Sequence, residues 1–134
     1  MKGIKLEEPR NVDCVELEKP VPGPGEALIR IVTAGICGSD IGAFRGTNTL
    51  VSYPRIIGHE LAGIVEEIPA DNPKGLKPGD KVIVDPYIYC GECYPCSIGR
   101  TNCCTSLKVL GVHIDGGMAE YFCHPADMLV KMPE

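Results

Sequence analysis

The stretch Cys90-Gly-Glu-Cys93-Tyr-Pro-Cys96-Ser-Ile-Gly-Arg-Thr-Asn-Cys103-Cys104 places five cysteines within fifteen residues. Its C-x2-C-x2-C spacing is typical of a tetrahedral zinc site, because Cys-x2-Cys turns direct two sulfurs toward one metal ion. Four thiolates saturate zinc and leave no position for water or substrate, so the predicted site is structural. It would fasten a loop with too few apolar residues to pack by itself. The spacing alone allows either Cys103 or Cys104 as the fourth ligand.

The composition of the 134-residue chain limits its function classes. A net charge of −5 argues against nucleic acid or an anionic membrane surface as a partner, because both require an excess of Lys and Arg. No apolar run approaches the ~20 residues that a membrane span requires, and the N-terminal residues 1–6 are too polar for a secretory signal. We therefore expect a cytoplasmic protein. The chain has eight cysteines, and the clustered ones are interpreted as metal ligands before disulfides, since cytosolic thiols stay reduced.

The rest of the chain divides into short apolar runs between frequent glycines (16) and prolines (12). Most runs have four to nine residues, a length that favours strands over helices. Short helices are expected just after Cys37 and over residues 93–98. The sequence predicts one all-β domain over residues 1–134, mainly strands with short helices, folded as a partly open barrel. The predicted strand segments are 27–34, 61–68, 81–84, 118–122 and 128–132.

A second group of metal-ligand residue types lies in two shorter motifs. The string GICGSD at 35–40 follows one apolar run, and the string GHE at 58–60 precedes another. Cys37 and His59, at the ends of strands, can share a metal although 22 residues separate them. Neither is specific alone, since a buried cysteine is usually a small hydrophobe. Beside a zinc loop, the pair predicts a second metal site.

Taken in order, these motifs resemble the zinc-dependent medium-chain alcohol dehydrogenases. The matching strings are GICGSD at 35–40, GHE-x2-G at 58–63, KPGD-x-V at 77–82 and the four-cysteine loop. A further string, GVHxDGGxAEY at 111–121, is most similar to members that act on polyols, sugar acids and threonine. The resemblance covers nearly the whole chain. It implies a domain similar to the GroES co-chaperonin, a partly open barrel with a zinc-binding loop.

The resemblance implies roles for the residues at matching positions. Cys37 and His59 would ligate a catalytic zinc, with Glu60 as a third ligand or a nearby exchangeable one. Ser39 would hydrogen-bond the substrate hydroxyl and pass on its proton. Asp40 would hold the imidazole of His59 in the tautomer that can ligate. The structural-zinc positions, which favour Cys104 over Cys103, are Cys90, Cys93, Cys96 and Cys104.

The implied activity is oxidation of a secondary alcohol (a polyol, sugar acid or hydroxy amino acid) to a ketone, with hydride transfer to NAD or NADP. The sequence contains no Gly-x-Gly-x-x-Gly fingerprint for a dinucleotide. We therefore expect the nucleotide-binding domain to lie outside this chain, together with one further catalytic-zinc ligand or a water-holding glutamate. On this interpretation the chain is an inactive fragment of a longer, homo-oligomeric enzyme.

Two positions depart from the family pattern. Gly42 stands where many relatives have a histidine that relays the proton to solvent, and Pro69 replaces a glycine.

The main alternative to an enzyme domain is a non-catalytic, zinc-stapled module that binds a protein partner. Such a module would not need the pattern of residues 37–40 and 59–60. A zinc-free quinone reductase of the same superfamily would lack both ligand sets.

Overall fold

The computed structural model describes residues 1–133, which form mostly short strands joined by turns. The mainly β architecture predicted from the sequence is confirmed. No helix within residues 1–133 combines the length and the apolar character needed to cross a membrane. The helices are α1 (Gly38–Arg45) and α2 (Tyr94–Ser97), with 3-10 turns at Thr101–Cys103 and Ala126–Met128. The strands are β1 (Lys2–Glu8), β2 (Asn11–Glu16), β3 (Glu26–Gly35), β4 (Arg55–Ile56), β5 (Glu60–Glu67), β6 (Lys81–Val84), β7 (Tyr87–Ile88), β8 (Lys108–Val109), β9 (Tyr121–Pro125) and β10 (Leu129–Lys131).

The strands pair antiparallel in three sheets. The largest has the order β10-β6-β5-β3-β9, and a second has the order β2-β1-β4. The third is the small pair β7-β8, which closes the base of the cysteine loop. Residues 118–120 connect the two larger sheets, because the Ile4 amide donates to the Met118 carbonyl (2.9 Å) and the Glu120 amide to the Lys2 carbonyl (3.0 Å).

Four of the five predicted strand segments contain an observed strand, and one is partly wrong. Strands β3, β5, β6 and β10 lie at 27–34, 61–68, 81–84 and 128–132 with small differences at their ends. The segment 118–122 does not begin a strand at Met118; β9 starts at Tyr121. Residues 118–120 instead bond to β1, with an isolated bridge between Gly3 and Ala119. Tertiary hydrogen bonding to the N-terminal strand therefore decides this boundary.

Two hydrophobic clusters fix the elements that carry the candidate site. The larger one lies against one face of the five-stranded sheet. Alternating residues of β5 and β6 are buried on that face, among them Leu61, Val65 and Val82. The smaller cluster packs α1 against β1 and the segment before β5, and it consists of Leu6, Ala43, Val51, Ile57 and Val112. Because Ala43 and Ile57 share this cluster, α1 has a fixed position relative to residues 58–60.

His124 is a buried, titratable residue in β9. Its side chain is 1% exposed, and Nε2 lies 2.8 Å from the carbonyl oxygen of Asp85. Since a carbonyl only accepts, Nε2 carries the proton, and Nδ1 is buried without a hydrogen-bond partner among residues 1–133. Burial lowers the pKa of His124 below its ordinary value, although the bond to Asp85 opposes this shift.

We expect the buried His124 to make the chain less stable in acid. Its folded-state pKa lies below the unfolded value of about 6.5, so the unfolded chain binds more protons as pH falls through that value. The stabilising contribution of the neutral ring is therefore present above pH ~6.5 and is lost below it. Denaturant unfolding at pH 7, 6 and 5 should show a smaller pH dependence for His124→Phe than for the wild type.

The matched control is His113→Phe, because His113 is exposed. The metal ligands are present in all three proteins, so the comparison between the two variants isolates the replaced histidine. Equal pH dependence in the wild type and His124→Phe would contradict the prediction.

Candidate metal centres

The cysteine loop brings four thiols together at the end of the β7–β8 pair. Cys93 precedes the first turn of α2 and Cys96 lies within it, while Cys90 and Cys104 come from the two arms of the loop. All four Sγ atoms lie within 4.8 Å of one another. Cys103 is exposed and lies outside this cluster, whereas Cys104 is buried. The geometry thus groups the four cysteines that the resemblance implies.

The sulfur spacing fits a tetrahedral ion. Zinc–sulfur bonds of about 2.3 Å require sulfur–sulfur separations of about 3.8 Å. Cys93 and Cys96 have their sulfurs 3.4 Å apart, and those of Cys90 and Cys104 are 3.5 Å apart. The Cys90 amide also donates to the sulfur of Cys104 (3.3 Å), and the Cys93 amide donates to that of Cys90 (3.4 Å). Such bonds stabilise thiolates in the orientation that ligation needs.

The ionisation of these thiols also favours a bound cation. Backbone amide hydrogen bonds lower the pKa of Cys90, Cys93 and Cys104 from the ordinary value of a thiol. Burial, followed by hydrogen bonding with Cys93, raises the pKa of Cys96 to about 12. A fourth thiolate is therefore unfavourable beside the other three unless a positive ion compensates their charge.

A second cluster, formed by Cys37, His59 and Glu60, lies where β3 ends and β5 begins. One ligand atom from each of the three side chains lies within 4.8 Å of the others. The antiparallel register of β3 and β5 pairs Gly35 with Glu60, which places the residues after β3 beside the residues before β5. Sulfur, imidazole and carboxylate donors in one open cluster suit a zinc ion that keeps a position for substrate.

Asp40 connects the two halves of this second cluster. Its carboxylate is 4% exposed, and Oδ2 accepts the Cys37 amide at 2.8 Å, at the start of α1. Oδ1 lies 3.6 Å from Nδ1 of His59. Because Nδ1 faces Asp40, Nε2 is the nitrogen left to face a metal, and it lies 3.3 Å from Oγ of Ser39. The structure thus brings together the five side chains predicted for this site, which are Cys37, Ser39, Asp40, His59 and Glu60.

Gly35 is a residue whose importance the sequence did not reveal. A Cβ atom at this position would collide with the carboxylate of Glu60 and lie 3.0 Å from its Cβ. The missing side chain therefore lets Glu60 fold across the end of β3 toward Cys37. Gly35 belongs to the GICGSD string, so the motif itself was the available signal.

A groove of about 500 Å³ opens beside the second cluster. The groove is lined by Cys37, His59 and Glu60 together with larger side chains that include Ile83 and Tyr87. Ile83 and Tyr87 are 44% and 50% exposed. A mostly apolar groove with a few convergent polar, metal-competent groups is the arrangement of a small-molecule site.

The family of alcohol dehydrogenase GroES-like domains matches residues 23–134. An uncharacterised zinc-type alcohol dehydrogenase-like protein of Haemophilus influenzae is 58% identical over 134 residues, which are 100% of this chain and 39% of that protein. The L-galactonate-5-dehydrogenase of Escherichia coli is 44% identical over 125 residues, 93% of this chain and 36% of the enzyme. A crystal structure of the E. coli CFT073 alcohol dehydrogenase rspB, complexed with the cofactor NADH, superimposes with a TM-score of 0.90 at 46% identity. The superposition covers 100% of this chain and 39% of the rspB chain.

The chain belongs to the zinc-type alcohol dehydrogenase family, of which it forms a GroES-like domain. The resemblance and the fold predicted from the sequence are both confirmed. The chain spans somewhat more than a third of the length of these relatives, 39% in the first case.

We expect the fourth structural ligand to be Cys104 and not its neighbour. Cys104→Ser removes one sulfur of the tetrahedron, so the chain should lose about one zinc ion and unfold at a lower temperature. Cys103→Ser, the matched control, changes an exposed thiol outside the cluster and should retain the metal. Zinc per chain is measured by atomic emission after dialysis. Zinc loss in Cys103→Ser with retention in Cys104→Ser would reverse the assignment.

Gly35→Ala should weaken metal binding at the second cluster alone. The added methyl group displaces the Glu60 carboxylate, and we expect the dissociation constant of Co²⁺ at that cluster to rise about tenfold or more. Gly38→Ala is the control, because a Cβ at Gly38 would meet nothing within 4 Å. Cobalt titration of chains with zinc in the four-cysteine site measures the difference. Equal affinities in the two variants would argue against a role for Glu60.

Proposed function

We propose that this chain is the zinc-binding catalytic domain of an NAD(P)-dependent dehydrogenase that oxidises a secondary alcohol to a ketone. Cys90, Cys93, Cys96 and Cys104 would hold a structural zinc. Cys37, His59 and Glu60 would hold a catalytic one. The observation that carries the proposal is the juxtaposition of Cys37, His59 and Glu60 on a groove, with Ser39 beside them.

Zinc, when bound, supplies Lewis acidity that makes an alcohol hydroxyl easier to deprotonate. The side chains of the chain do the remaining work. Ser39 Oγ would accept a hydrogen bond from the substrate hydroxyl and take up its proton while it gives its own proton to the next acceptor. Oδ1 of Asp40 lies 3.6 Å from Nδ1 of His59, and on closer approach it would accept the Nδ1 proton and so fix the direction of the ring. At position 42 the chain has glycine, so the proton would pass from Ser39 to water and not to a second side chain.

The substrate class follows from the groove and from the relatives. The groove combines three polar donors with apolar residues, which suits a small molecule with several hydroxyl groups and a carbon backbone. The similarity to L-galactonate-5-dehydrogenase supports a sugar acid or polyol as substrate. The NADH complex of the rspB structure supports a nicotinamide cofactor bound by a second domain. We propose that the chain alone is inactive, because hydride transfer needs that domain.

The test uses a longer polypeptide in which this chain is followed by its nucleotide-binding domain. Reduction of NAD or NADP is followed with sugar acids, polyols and threonine as substrates. We expect zinc-dependent turnover, and Ser39→Ala should lower kcat about 10²-fold or more, since proton transfer by a positioned group contributes that much.

Ser97→Ala is the matched control, because Ser97 bonds only to the Tyr94 carbonyl within α2 among the contacts of residues 1–133. It should retain wild-type turnover. A protein that binds one zinc per chain and turns over none of the substrates would support the non-catalytic module instead.

A further inference from the structure

The segment that leads into His59 is held by a loop nearly sixty residues further along the chain. The Gly116 amide donates to the Ile56 carbonyl (2.7 Å), the Met118 amide to the Ile57 carbonyl (3.0 Å) and the Gly117 amide to the Gly58 carbonyl (3.0 Å). Each carbonyl of residues 56–58 therefore has a partner from residues 116–118. The peptide planes just before His59 have little freedom to rotate.

One side chain completes this arrangement. Oδ1 of Asp115 accepts the Ile56 amide at 3.1 Å and Nη1 of Arg55 at 3.1 Å. Nη2 of Arg55 in turn donates to Oγ of Ser52 at 2.7 Å. The side chain of Arg55 is 14% exposed and that of Asp115 is 64% exposed, so the pair lies at the rim of the fold. We call Arg55, Asp115 and the 116–118 loop the clamp.

The clamp also explains the backbone at position 58. Gly58 has φ of +99°, a conformation that side chains disfavour, and its backbone packs closely on Met118. A Cβ atom at Gly116 would collide with the Gly58 carbonyl oxygen. The loop and the segment thus touch backbone to backbone immediately before His59. Because no side chains lie between the two backbones, a shift of residues 116–118 is expected to move Gly58 and therefore His59.

We propose that Asp115 is a positioning residue for the second metal centre, which holds the 55–58 segment so that the imidazole of His59 meets Cys37 and Glu60. The inference rests on the proposed function of that centre as a metal site. Asp115 itself touches neither a ligand atom nor the groove. Arg55 is largely buried and Asp115 accepts the Ile56 amide, so loss of Asp115 is expected both to lower stability and to change the geometry at His59, and the two effects are measured separately.

The experiment compares Asp115→Ala and Asp115→Asn with the wild-type chain, each with zinc in the four-cysteine site. Co²⁺ is titrated into the second centre, and its dissociation constant and visible absorption spectrum are recorded. Alanine removes both bonds of the carboxylate, and we expect about tenfold weaker binding with an altered spectrum. Asparagine keeps an oxygen for the Ile56 amide, so its spectrum and affinity should lie nearer the wild type.

Glu66→Ala is the matched control. Glu66 also pairs with an arginine, Arg30, at 2.8 Å, but at the far end of β5. We expect wild-type cobalt binding for this variant. Circular dichroism and thermal unfolding of every variant verify that the fold is retained. If Asp115→Ala fails to fold, the wild type is compared with Asp115→Asn instead. The histidine ring signals of the metal-free chains, recorded by NMR, then report the position of His59.

The outcomes separate this inference from the proposed function. Wild-type binding of a second ion together with an unaltered affinity and spectrum in Asp115→Ala would overturn the role of Asp115 alone. An equal loss of binding in Glu66→Ala would do the same, since the effect would then be general destabilisation. A wild-type chain that binds no second ion would overturn the proposed metal centre and this inference with it.

Discussion

The candidate metal site at Cys37, His59 and Glu60 depends on one buried carboxylate. Asp40 is 4% exposed, and such a group is costly to bury unless it is satisfied by donors. It accepts the Cys37 amide and faces His59 across the gap between α1 and β5, so it couples the sulfur donor to the imidazole donor. The packing of Ala43 against Ile57 keeps α1 at the distance at which this contact can form. The geometry of the site is therefore a property of the tertiary structure and not of either motif alone.

The two metal centres are organised in opposite ways. The four-cysteine cluster is local, since its ligands lie between Cys90 and Cys104 and its amides serve its own sulfurs. The Cys37–His59–Glu60 cluster depends on the register of β3 with β5 and on the loop around Asp115. A cluster whose donors are close in sequence can thus be built by a single loop. A cluster whose donors come from distant segments needs a rigid sheet to fix their relative positions.

The same difference decides how far the sequence could predict the structure. The cysteine spacing is sufficient to predict the local cluster but not to choose between Cys103 and Cys104, whereas the pairing of Cys37 with His59 depends on the neighbouring zinc loop and on the resemblance to a family. The clamp was not predicted, because Arg55 and Asp115 lie sixty residues apart and neither belongs to a ligand pattern. Strands β1 and β2 were also missed. They contain several charged residues, and β2 is almost wholly exposed, so their stability comes from mutual pairing and from residues 118–120 more than from an apolar run.

The neck of the cysteine loop has a thermodynamic consequence. Residues 89–107 leave and return through two residue pairs, Tyr87 with Val109 and Ile88 with Lys108. Within residues 1–133, the hydrophobic residues of the larger cluster come from outside this excursion. The loop is thus able to open as a subglobal unit while the barrel stays folded, so amide exchange there would report metal occupancy and not global unfolding. Metal can therefore leave through a local opening, although its loss still lowers the stability of the folded chain.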